Sequence, residues 1–207
     1  MEEELKIFSP RPKKLDFKGY TSNDKLTFRP NLTPSQVLRA GAFGGTYFRE
    51  IYSGVTGKTY KSAYKEFPKH WFRGLNIKKQ ISRPFNEYDK KINKYKVKVG
   101  LTLEEWEEKN WIKKEDPFGW FQWYCRFYQG RRLGDEDVRQ IKRFNGMSRF
   151  VGSLVTLIKK KEAETGKSHW NDYSIGRGYR QTLLHWGYQL TLGDYNRFKS
   201  EEKYKFK

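Results

Sequence analysis

A mainly α-helical fold with a small strand element in its N-terminal half, α+β being the alternative, is the fold class this sequence predicts. Three observations carry it. Residues 116–132, Asp-Pro-Phe-Gly-Trp-Phe-Gln-Trp-Tyr-Cys-Arg-Phe-Tyr-Gln-Gly-Arg-Arg, place Trp120, Trp123, Tyr124, Phe127 and Tyr128 at the i, i+3, i+4, i+7, i+8 spacing of one helix face. Helix-start phrases recur at 32–37 and 101–106, and again more loosely at 190–195. Strict alternation of apolar and polar residues is confined to short runs in the first half.

The elements follow in order. Residues 1–30 carry Arg11, Lys13, Lys14 and Lys18 among Pro10, Pro12, Gly19 and Pro30, without periodicity, and read as a basic irregular arm. Residues 31–207 read as one globular domain, with a subdivision near 100 as the alternative. Thr33 is placed to cap a helix with Pro34 at its first position, Gln36 completing the capping box and Gly41 stopping it. A strand is predicted over 47–52, and Ser53-Gly54-Val55-Thr56-Gly57-Lys58 reads as a turn into Thr59 and Tyr60. Tyr95, Val97 and Val99 alternate with Lys94, Lys96 and Lys98, which predicts a strand with one lysine face. Thr102 with Glu105 starts the next helix.

The central helix follows, with Asp116 as its N-cap, Pro117 at its first position and Gly130 as its stop. A helix apolar around most of its girth belongs at the centre of a domain. Asp135 is read as the cap of a helix over 136–144, Asn145-Gly146-Met147 as a break, and residues 148–163 as a helix with a broad apolar face. A last pair is expected over 179–188 and 192–200.

Charge narrows the partner. Lys plus Arg number 43 against 24 Asp plus Glu, a formal net charge of +19, which is too large an excess for a balanced surface and implies a polyanion. With 7 Trp, 14 Tyr and 15 Phe the chain has both phosphate-binding and base-stacking groups, so nucleic acid, DNA ahead of RNA, leads over an anionic membrane. One Cys and three His exclude a disulfide framework and an ordinary zinc site, and no metal or cofactor is expected. Met-Glu-Glu-Glu is not a secretory leader and no apolar run spans a bilayer, so an intracellular protein of nucleus or cytoplasm is expected, not secreted and without a membrane partner.

Candidate binding residues are Lys94, Lys96 and Lys98 in the dense basic run 78–98, and Arg126, Arg131, Arg132, Arg139, Lys142, Arg143 and Arg149 beside the aromatic helix. Trp120, Trp123, Tyr124 and Tyr128 are the stacking candidates, set against the plainer reading of the same stripe as core. The helices over 135–163 are compatible with helix-turn-helix recognition, but the second is too apolar to lie fully in a groove. A base-excising or base-modifying repair enzyme is the alternative function. It would need a carboxylate beside stacking aromatics, for which Asp116 is the best candidate. Asp135, Glu136 and Asp137 sit on one first turn, point in different directions and read as helix-start acids, not metal ligands. Gly41-Ala42-Phe43-Gly44-Gly45-Thr46-Tyr47-Phe48-Arg49 lacks the Lys-Ser/Thr ending of a phosphate loop, and its glycines suit close backbone packing or a tight approach to a ligand.

Residues 41–49, 116–132 and Arg180-Gln181-Thr182-Leu183-Leu184-His185-Trp186-Gly187-Tyr188 together resemble an uncharacterised family of proteins from eukaryotes and large DNA viruses, over about residues 32–190. The resemblance carries no catalytic residue across. It implies that these aromatics and arginines form one site. The expectation is a nucleic-acid-binding protein, free or part of a nucleoprotein assembly.

Overall fold

The computed structural model describes residues 20–21 and 26–200. Arg11, Lys13, Lys14 and Lys18 of the basic arm lie outside the described residues. The fold is mainly α with small strand elements in the N-terminal half. A short ladder pairs β1 (Tyr20–Thr21) with β2 (Thr27–Phe28), and an antiparallel hairpin pairs β3 (Ile51–Ser53) with β4 (Lys58–Tyr60). Strand pairing thus begins later than the predicted 47–52, and the turn over 54–57 lies where its glycines and Thr place it.

Helix α1 (Pro34–Ala40) is closed at both ends by local chemistry. Thr33 Oγ1 accepts from the Gln36 amide, Gln36 returns the bond to the Thr33 amide, and Gly41 at φ 96° ends the helix. A single turn, α2 (Ile77–Gln80), follows the hairpin, and α3 (Leu103–Glu108) repeats the capping box with Thr102 and Glu105. Residues 94–99 are not a strand. They form a turn and bend at 94–96 that runs into coil, with Lys96 at φ 57°, the Asn93 side chain donating to the Val97 carbonyl, and the Lys94 amide donating to the Gly41 carbonyl. Alternation there reflects a coil whose apolar residues are drawn inward by tertiary bonds.

The central helix α4 (Trp120–Tyr128) begins three residues later than the Asp-Pro pair suggests. Asp116 instead closes a tight turn, its carbonyl accepting from Gly119 at 2.8 Å. Gly119 at φ 82° redirects the chain, and Tyr47, from far away in sequence, lends its hydroxyl oxygen to the Gln122 amide at 2.8 Å. A tertiary group does the capping, so no local signal marks it. Gly130 at φ 101° follows the last turn, as expected.

Trp120, Phe121, Trp123, Tyr124, Cys125 and Phe127 of α4 are all buried. Each such side chain contributes about 1.5–3 kcal/mol through area removed from water. Around α4 pack α1 and, through Phe28, the strand β2, which in turn meets α5 (Asp135–Asn145). Phe28 belongs to the arm predicted as irregular, yet its ring is edge-on to Trp123, Tyr124, Phe127 and Phe144 at centroid distances of 4.8–5.6 Å. Helix α6 (Ser148–Thr165) carries α7 (Arg177–His185) and α8 (Leu192–Ser200) on its apolar face. The long loop before α7 is tied down by buried Arg180, which donates to the carbonyls of Trp170, Asp172 and Ile175.

Candidate functional site

Most of the predicted arginine cluster is consumed inside the fold. Asp116 is 1% exposed, and its two carboxylate oxygens take Arg126 Nη1 at 3.2 Å and Arg131 Nη2 at 2.6 Å. Arg126 also forks onto Glu66 and donates to the Glu115 carbonyl. Burial pushes the Asp116 carboxyl above the ordinary carboxylate range, and the two guanidiniums hold that rise in check. A carboxylate sealed this way offers no open side to a base, and Asp116 packs the fold. Arg132 lies over the Phe127 ring at 3.8 Å and donates to the Phe127 carbonyl. Arg139 forks onto Glu136. Asp137, the third acid of that turn, is buried and accepts from the Trp123 indole at 2.9 Å and the Leu133 amide at 2.6 Å.

Two of the four stacking candidates are corrected in the same way. Trp123 and Tyr124 are 0% and 1% exposed and have no face to offer a base. Tyr124 spends its hydroxyl on the Leu32 carbonyl. Tyr128 stands half-buried and edge-on to Trp71. Lys142 and Arg149 are exposed, Arg149 over the Phe150 ring. Lys94 reaches Gln189 at 2.6 Å and lies over Tyr95 and Tyr173, while Lys96 turns back onto the Lys91 carbonyl. Among the described residues no cluster of His, Cys, Asp and Glu could hold a metal ion, and no helix is long and apolar enough to cross a membrane.

The structure places a cavity of about 250 Å³ where the three distinctive phrases of the sequence meet. Residues 41–49 contribute Phe43, Thr46, Tyr47 and Arg49, the turn into α4 and its first two residues contribute Phe118 to Phe121, and α7 with the residue after it contributes Thr182, His185 and Trp186. Phe85 and Tyr88 from the basic run, Val99 to Leu101 just after it, Trp106 of α3, Trp111, and Arg143 of α5 add to the wall. Of the predicted site residues, Trp120 and Arg143 line this cavity, and Lys98 sits at its rim over the Phe85 and Tyr88 rings.

Glycine holds this junction together. At Gly41, φ 96°, a Cβ would stand 2.1 Å from the Ile92 carbonyl oxygen, and at Gly44, φ 58°, 2.6 Å from the Tyr88 ring. No other residue lets the 41–49 loop lie so close against 79–94. The contact is bonded on both sides, Gly44 donating to Asn93 Oδ1 and its carbonyl accepting from the Asp89 amide.

The protonation state of His185 follows from its neighbours. The Phe43 amide donates to His185 Nε2 at 2.9 Å, so Nε2 is the acceptor and the neutral ring carries its proton on Nδ1. Gln181 agrees: its Oε1 accepts from the Tyr95 amide, which turns its NH2 toward His185 Nε2 at 3.0 Å and the Gly41 carbonyl. The imidazole stacks on Phe43 at 4.0 Å. Burial pushes its pKa down to about 3, so the ring stays neutral at physiological pH.

Two guanidiniums face the same space. Arg143 lies 5.4 Å from the centroids of both Trp111 and Trp186, and Arg49 lies 4.9 Å from that of Phe85. Burial, then the neighbouring Arg139, draws Arg143 down to about 10, and burial lowers Arg49 as well. Neither arginine is ion-paired to a carboxylate among the described residues. The Trp120 indole N–H likewise finds no acceptor among them. Phe85, Leu101 and Trp111 stand 39%, 41% and 39% exposed at the mouth. Exposed aromatic rings bearing cations are suited to stacking a planar, electron-rich group and holding an attached anion. No protein-family model, curated protein or solved structure matches this chain.

Sequence reasoning missed Arg49, Thr182 and His185 as members of the site. The closing Arg of the 41–49 phrase and the i, i+3 spacing of Thr182 and His185 on one helix were the available signals.

Proposed function

We propose that the protein binds nucleic acid, with the mouth of the aromatic cavity as the centre of the contact surface. The observation that carries this reading is the pair Trp111 and Phe85, half-exposed rings at the mouth with Arg143 over the first and Arg49 and Lys98 over the second. A base stacks on such a ring while the adjacent cation takes the phosphate. The exposed lysines 78, 79, 90 and 91, on the basic run that forms one wall, extend the positive field away from the mouth.

Charge alone would give salt-dependent binding indifferent to these rings. The test is therefore a fluorescence titration with single-stranded DNA at low and physiological salt, on wild type, Trp111→Ala and Phe85→Ala. Affinity should fall steeply with salt, and each variant should weaken binding roughly tenfold while melting like wild type. A response that is flat in salt, or both variants binding like wild type, overturns the reading.

A further inference from the structure

We propose that the cavity admits one unstacked keto base of a nucleic-acid strand, guanine, thymine or uracil, and discriminates against the amino bases adenine and cytosine. The inference rests on the nucleic-acid reading above and deepens it.

No carboxylate or carboxamide side chain lines the cavity. Its charged and heterocyclic groups are donors: the guanidiniums of Arg49 and Arg143 and the Nδ1–H of His185. The Tyr47 hydroxyl is already spent, donating to the Phe118 carbonyl and accepting from the Gln122 amide. A ligand here must bring acceptors.

Two guanidiniums also exclude cationic ligands, although aromatic walls would otherwise suit them. The volume, about 250 Å³, lies below the roughly 300–1,000 Å³ usual for drug-sized ligands and suits one ring system, not a base pair. A planar group with electronegative oxygens, wide aromatic faces and an anion attached at its edge satisfies all three conditions.

Keto and amino bases differ at the group such a lining reads. Guanine presents O6 and N7, both acceptors, and thymine and uracil present O4, whereas adenine N6 and cytosine N4 are amino donors. An amino group set against arginine and His185 N–H groups leaves donors facing donors, each without a partner. Thr182, one turn before His185 on α7, supplies a hydroxyl that can accept the imide N–H of the keto bases.

The experiment keeps the strand constant and changes one base. Single strands of about eleven cytosines carry hypoxanthine, adenine, thymine, cytosine or an abasic site at the centre, and binding to the full-length protein is read by fluorescence anisotropy at fixed salt. Hypoxanthine against adenine, and thymine against cytosine, exchange a carbonyl for an amino group on the same ring frame. The hypoxanthine and thymine strands should bind roughly tenfold tighter than the other three, and Arg143→Met should shrink that difference to under about twofold.

Equal affinity for all five strands, with steep salt dependence retained, overturns this inference and leaves the nucleic-acid reading standing. Absence of binding to every strand removes both. Binding of free dGMP or dTMP without binding of any strand shows that the base arrives as a mononucleotide and overturns the strand as its source. The wild-type comparison decides the matter even where Arg143→Met fails to fold.

Discussion

Arg131 Nη2 meets Asp116 Oδ2 at 2.6 Å across a side chain that is 1% exposed, with Arg126 on the other carboxylate oxygen. The chain has drawn two of its predicted phosphate binders into one buried ion cluster. Removing the carboxylate strands Arg131, 16% exposed, without an acid and leaves Arg126, 14% exposed, with Glu66 alone. Asp116→Ala should therefore cost on the order of 3–5 kcal/mol, well beyond the roughly 1 kcal/mol of a lost helix cap. Urea unfolding measures it. A loss near 1 kcal/mol would mean that water replaces the carboxylate at both arginines.

Arg131→Ala separates stability from binding. It should lower stability by a comparable amount and leave the affinity of the remaining folded protein for single-stranded DNA unchanged, because that guanidinium faces Asp116 and not the cavity. Weakened binding in a variant that melts like wild type would return Arg131 to the contact surface.

Phe28 ties the N-terminal ladder to the centre of the fold. It is 4% exposed within a shell of aromatic rings from α4 and α5, so Phe28→Ala should cost about 3–5 kcal/mol. Thermal melts would show it. A variant that melts within a degree or two of wild type would show that this strand adds nothing to the core.

His185 gives the fold a pH dependence whose sign is fixed by its neutral state. Its folded pKa, about 3, lies below the ordinary value of about 6.5, so the unfolded chain takes up a proton first as pH falls. The stability contributed by the neutral ring is complete above about pH 6.5 and is lost progressively toward pH 3. Between pH 7 and 5 the loss attributable to this ring should reach at most about 2 kcal/mol. In His185→Gln, where an amide oxygen can still accept from Phe43, that part of the decline should disappear. His70 and His169 are common to both proteins and cancel. An identical pH profile for the two would show that the ring protonates as freely folded as unfolded.

The sequence by itself determined the features written in short-range chemistry. Thr33 with Gln36 and Thr102 with Glu105 cap their helices as read, because each partner lies within three residues and needs nothing from the rest of the chain. The mainly α class, the placement of α6 and α8, the turn at 54–57 and the stop at Gly130 were legible for the same reason.

Tertiary structure decided everything that depends on a partner distant in sequence. Asp116 looks like a cap until Arg126 and Arg131 close on it and Tyr47 takes over the helix start. Lys94 to Lys98 look like a strand until Gly41 and Gln181 claim the backbone at 94 and 95. The five aromatics on one face of α4 favoured a core over a platform without deciding it, because spacing fixes which residues share a face and not what that face meets. The exposed rings at the cavity mouth, Phe85 and Trp111, lie in a single 3-10 turn and a loop, where no periodicity marks them. The cavity itself is assembled from stretches as far apart as Phe43 and His185, and only packing brings such residues within a hydrogen bond of one another.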